Sequence, residues 1–187
     1  MNPRAKTLQQ LPHGEAFPFN SQQRLTLPED STERVRITAA AMCAMIHHAA
    51  AVGPHLAFLA RKFRDDSYAS AKYLWSTLKA TQTKTPDPAG VELLRSPEQS
   101  AESIRERGSF PADCDDVAML ACAIAVRVGR SCSLRVIRRE GNDWEHVYAV
   151  VHPVPRGPEV VIDPQETSAP FEERPHVAAL NFPVWRA

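Results

Sequence analysis

The chain has 187 residues, a length that suits one domain with an appended arm. Hydrophobic residues make up 43% and charged residues 24%, enough to build a core and too apolar for general disorder. Lys plus Arg number 22 and Asp plus Glu number 22, so the chain lacks the cationic excess expected of a nucleic-acid binder or a polybasic membrane anchor.

Residues 1–34 are polar and carry Pro3, Pro12, Pro18 and Pro28. They read as an extended arm, with Phe17 and Phe19 as anchors. No apolar run of the secretory kind is present. The run from Ala39 to Ile46 stops at His47-His48, well short of a membrane span. The four Cys form no CxxC pair and read as free thiols, with no disulfide framework and no zinc site. We expect a soluble cytoplasmic protein that engages neither nucleic acid nor membrane.

Helices are predicted over 35–51, ended by Pro54, then over 55–64 and 66–81. In the third, Tyr68, Ala71, Leu74, Trp75 and Leu78 form one apolar stripe. Residues 83–90, with Pro86 and Pro88, read as a loop. Ser96-Pro97-Glu98-Gln99 is a helix start, with Ser as cap and Pro in the first turn, and Gly108 is the stop.

A further helix is predicted from about Asp113 to Gly129, with Val117, Leu120, Ala121, Ile124 and Val128 on one stripe. Strand-like runs follow at 132–138, 146–152 and 159–163, joined by turn-rich links that make them antiparallel neighbours. Residues 166–187 read as an irregular tail that packs back through Phe171, Phe182 and Trp185. The fold class is α+β: N-terminal helices, then a Cys-bearing helix packed on a small antiparallel sheet. The domain proper is 35–165.

Chemistry concentrates at Asp113-Cys114-Asp115-Asp116. A Cys at a helix N-terminus meets unpaired N–H groups and the positive end of the macrodipole, which favour a thiolate. Carboxylates beside it oppose ionisation, so an active thiolate needs a positive partner, most naturally an imidazolium. On position alone Cys114 is either a nucleophile or a structural thiol under a cap.

His146 opens the second strand, and alternation puts His146, Tyr148, Val150 and His152 on one face and Val147, Ala149 and Val151 on the other. If the Val147 face meets the Cys114 helix, His146 points away from it; the sequence leaves this open, and a lone strand His is commonly structural. Asp163 ends the apolar run Val160-Val161-Ile162, where an antiparallel register sets it opposite His146 or Tyr148. A register shifted by one residue would separate them.

The segments AspCysAspAspValAlaMetLeuAlaCysAlaIleAlaValArgValGlyArg, GluHisValTyrAlaValVal and ValValIleAspPro, with ProAspProAlaGlyValGluLeuLeuArgSerPro upstream, resemble the transglutaminase-like cysteine proteins of bacteria and prophages. The likeness spans about residues 70–165. It implies a papain-like fold, Cys114 as nucleophile, His146 as general base and acid, and Asp163 as the group that orients the imidazole. It also implies that the His strand faces the Cys helix terminus. Ala112 stands where Gly is common in that branch.

Two functions follow as expectations. The first is thiol-dependent acyl transfer on the amide bond of a protein or peptide substrate, by a cysteine peptidase, amidase or transglutaminase-like enzyme without cofactor or metal. The second is a non-enzymatic structural or interaction protein of a phage or prophage particle, partnered by other particle proteins and therefore virion-associated. Arg135, Arg138 and Arg139 form a small basic patch that a solvated strand face explains.

Overall fold

The computed structural model describes residues 22–25, 27, 29–63, 68–88, 92–152 and 158–184. Residues 1–21 of the expected arm, including Phe17 and Phe19, lie outside them, as do 153–157 of the last inter-strand link and Trp185. The architecture is α+β, as its sequence implies.

The arm does not extend to residue 34. Gln23–Leu25 form strand β1, and helix α1 runs over Ser31–Val52. Asp30 caps it by accepting the Glu33 N–H at 2.7 Å, a start signal that the Ala-rich run downstream overshadows. Helix α1 is long and apolar enough by length and composition to cross a membrane, contrary to the expectation of a shorter run. Ala39, Met42, Met45, Ile46 and Ala49 on its inner side are buried in the protein core.

Helix α2 (Pro54–Ala60) continues into a 3-10 turn at Arg61–Phe63. Helix α3 covers Tyr68–Thr81 and buries Leu74, Trp75 and Leu78 of the expected stripe, whereas Tyr68 is exposed. The loop expected over 83–90 begins later, because Gln82–Lys84 form strand β2. Strand β3 (Glu92–Leu94) pairs antiparallel with β1. Helix α4 (Pro97–Arg107) starts with the full capping box of Ser96 and Gln99 and stops at Gly108, whose φ of 76° is left-handed. Strand β4 (Phe110–Ala112) lies parallel to β2 and leads directly into helix α5 (Cys114–Arg127).

Helix α5 is not the one-sided helix its stripe suggests. Every residue from Asp116 to Val126 is buried, as expected of a helix apolar all round. It packs on α1, α2 and α4 and on the sheet strands β5 (Ser131–Arg138) and β6 (His146–His152). Strand β7 (Val160–Ile162) and strand β8 (Ala178–Val184) complete this sheet in the order β7-β6-β5-β8, all pairs antiparallel.

Strand β8 corrects the expectation of an irregular tail. Its weak alternation and Pro183 hide it in sequence, and Pro is tolerated because β8 is an edge strand. Val184 is fully buried and Phe182 packs partly on the core. Between β7 and β8 the chain crosses the sheet face opposite α5. It is held to α3 and β2 by Trp75 Nε1 donating to Thr167 Oγ1 at 3.1 Å, Lys79 Nζ to the Pro164 carbonyl at 2.7 Å and Gln82 Nε2 to the same carbonyl at 3.1 Å.

One buried carboxylate organises the helical side. Glu98 is 2% exposed and accepts the N–H groups of His55 and Leu56 at 2.7 and 2.9 Å, closing the start of α2. Glu98→Ala leaves one buried and one partly buried donor unpaired, so we expect a loss of about 2–4 kcal/mol, read as a lower denaturant midpoint at unchanged slope.

Candidate active site

Strand β4 ends at buried Ala112, and Asp113 then caps α5 by accepting the Asp116 N–H at 3.2 Å, which places Cys114 at the first helical position. The lead-in is fixed from two sides. Arg95 Nη1 donates to the Pro111 carbonyl at 2.6 Å, and Gln165 Nε2 donates to the Ala112 carbonyl at 3.1 Å. Ala112 therefore takes up its position without a backbone that needs Gly.

The β6–β7 register pairs Ala149 with Ile162, so one residue further on Asp163 stands opposite Tyr148, on the face that carries His146. His146 Nε2 and Asp163 Oδ2 are 2.9 Å apart, with side chains only 4% and 2% exposed. Asp163 Oδ1 accepts the Glu166 N–H at 3.4 Å, and the Asp163 carbonyl accepts the Thr167 hydroxyl. Both carboxylate oxygens are thus engaged, which fixes the plane of the group that meets the imidazole.

Val147, Ala149 and Val151 join the main core against α5, while Tyr148 and Val150 form a small cluster with Ile137 and Val161 on the opposite face. His146 belongs to the second face. Because it is the first residue of β6, it nevertheless lines a cavity of about 160 Å³ that Cys114 and Asp115 also line. The walls also include Val35, Thr38 and Met42 of α1, Trp144, and two charged residues, Arg34 and Glu92.

Cys114 and His146 share this cavity without a hydrogen bond between them. The thiol lies 3.8 Å from Asp115 Oδ1, as a donor, and the Val147 N–H also acts on it. Burial, then the charges of Asp115 and Asp113, push the Cys114 thiol well above its ordinary value, with the Val147 N–H opposing them. The dipole of α5 does not prevail here, and the neutral thiol is favoured.

The neighbouring carboxyls are displaced in the same direction. Burial pushes Asp113 up to about 6 and Asp116 up to about 8, with like charges adding and backbone N–H bonds opposing. Asp115 is raised well above the carboxylate range by burial and by a bond to Glu92 of β3. Sequence reasoning singled out Cys114, His146 and Asp163 but missed Glu92, Gln165 and Glu166. Glu92 is distant in sequence and leaves no local signal, whereas Glu166 follows Asp163 by three residues, the spacing of a side chain capping a turn.

The other candidate groups lie elsewhere. His152 is at the far end of β6 near Glu159, at 3.9 Å. Cys122 and Cys132 are buried in the core, and burial, then Cys132, raises the half-buried Cys43 thiol to about 11. Arg135 binds Glu159 and Glu173 at 2.7 Å each, and Arg139 binds Glu145 at 2.9 Å, so two members of the basic patch are paired with carboxylates.

No protein-family model, curated protein or solved structure matches this chain.

The carboxyl shifts predict an unusual pH profile. A carboxyl whose value is raised by folding binds more protons in the native state, so its contribution to stability is complete below about pH 4 and is lost as pH rises. For Asp116 that loss runs from the ordinary value of 3.8 to about 8. Asp116→Asn should therefore match the wild type near pH 4 and exceed it at pH 8, as read by denaturation at both pH values.

Proposed function

We propose that the chain performs thiol-dependent acyl transfer on amide bonds, with Cys114 as nucleophile, His146 as general base and acid, and Asp163 as the orienting carboxylate. The observation that carries this reading is the buried His146–Asp163 pair at 2.9 Å opening onto the cavity that holds Cys114 at the start of α5. Order and placement agree with the transglutaminase-like, papain-like arrangement: a Cys at a helix start, a His on a strand, and an Asp at the end of the next antiparallel strand.

Asp163 engages Nε2, which leaves Nδ1 as the ring nitrogen available to the thiol. The reaction begins with rotation of Cys114 away from Asp115. Its proton passes to His146, and the sulfur attacks the amide carbon of a protein or peptide substrate. The tetrahedral oxyanion falls near the Cys114 backbone N–H, one of the unpaired donors of α5. The imidazolium then protonates the departing amine, leaving a thioester, which water or a second amine cleaves as His146 takes the incoming proton. Asp163 holds the ring and stabilises its charged form without itself being protonated.

A second reading is favoured by one observation: the thiol contacts Asp115 and not His146. On it, the chain keeps this architecture as a non-enzymatic component of a phage or prophage particle.

Iodoacetamide alkylation separates the two. Asp115→Ala removes the carboxyl that holds the Cys114 thiol and should speed Cys114 alkylation at pH 7 by about tenfold, the effect of lowering a thiol by one unit. Adding His146→Ala should abolish that gain if an imidazole receives the proton. A gain that survives without His146 favours the particle reading and removes His146 from the chemistry. Cys122, buried in the same molecule, serves as the unreactive control.

A further inference from the structure

The turn after Asp163 carries a second carboxylate, Glu166, whose charge interacts with that of the imidazole. The Glu166 N–H binds Asp163 Oδ1 at 3.4 Å while Oδ2 binds His146, so the Glu166 backbone decides which oxygen faces the ring. The Glu166 side chain is 22% exposed and gathers three cations: Lys84 Nζ at 3.4 Å, Arg139 Nη1 at 3.5 Å and Arg174 Nη2 at 3.9 Å. Burial alone would raise its carboxyl, yet His146, Lys84 and Arg139 hold it below the ordinary range. It is therefore ionised wherever the site operates, and the interaction with His146 is mutual.

Such a charge answers a need of the site. The His146 side chain is 4% exposed, and a buried imidazole loses hydration when it becomes charged. The thiol can transfer its proton only if that charged form is supported. Asp163 supports it directly. The other titratable groups about the ring are Tyr148 on the same strand, Glu145 before it (bound to Arg139), and, around the cavity, Cys114 with Asp115, Glu92 of β3 and Arg34 of α1.

Resting on the reading of His146 as the base for Cys114, we propose that Glu166 is a positioning residue of this site. Its backbone N–H aims Asp163, and its carboxylate adds a second negative charge that favours the imidazolium. Lys84, Arg139 and Arg174 temper that charge, so the strength of the base is set by a cluster on the turn and on β2 as well as by Asp163.

The test is the pH titration of the His146 ring protons by NMR. Glu166→Gln keeps the backbone N–H and removes the charge, and should lower the His146 midpoint by about half a pH unit, the size expected of one charge several ångströms away. Glu166→Asp should restore the wild-type midpoint. Lys84→Gln removes a tempering cation and should move the midpoint upward, so it tests the idea even if the Glu166 variants fold poorly. An unmoved midpoint in Glu166→Gln, or a shift in the same direction for Glu166→Gln and Lys84→Gln, overturns the assignment. Failure of the acyl-transfer reading shows elsewhere, as Cys114 alkylation indifferent to His146.

Discussion

Helix α5 has no polar side from Val117 to Val126, and this constraint shapes what surrounds it. A helix that must be covered all round draws α1, α2 and α4 to one side and the β5–β6 face to the other. Its direction is then fixed, and so is the point in space where it begins. Cys114 is placed by that beginning, and β6 starts next to it because Val147, Ala149 and Val151 are the residues that cover α5. The cavity lies at the junction where helix start and strand start coincide.

The same junction concentrates charge of one sign. Asp113, Asp115 and Asp116 follow a common preference for carboxylates at helix N-termini, yet here the terminus is half-buried or buried and Glu92 is brought against it from β3. Burial then outweighs the dipole and pushes the carboxyls above their ordinary range. In this setting the neutral form of the thiol is favoured.

How much of this was legible depends on whether the signal was local. The Ser96 cap with Pro97 behind it and the alternation in β6 are local, and the structure carries them as read, as it does the Leu74, Trp75 and Leu78 part of the α3 stripe. The partnership of His146 with Asp163 was legible as one of two registers, and the pairing of Ala149 with Ile162 selects Tyr148 as the residue opposite Asp163. What escaped was non-local or masked by composition. The short strands β2 and β4 exist because they pair with each other, β8 is disguised by Pro183, and Asp30 begins α1 ahead of its Ala-rich run. The coverage of α5 on every side follows from its neighbours, and a stripe count on one helix understates it.

Gln165 joins parts of the molecule that are otherwise far apart along the chain. It sits in the turn that follows Asp163, and its amide grips the Ala112 carbonyl two residues before Cys114. That turn is also anchored by Lys79 and Gln82, while β2, which begins at Gln82, runs beside β4. The acid and the thiol are consequently surveyed from a common frame rather than each from its own strand or helix. A displacement of the turn carries the lead-in to α5 with it, so errors in the two positions are correlated and partly cancel in the distance between them. Precision at the cavity in this design comes from shared anchorage, and not from the stiffness of any one element.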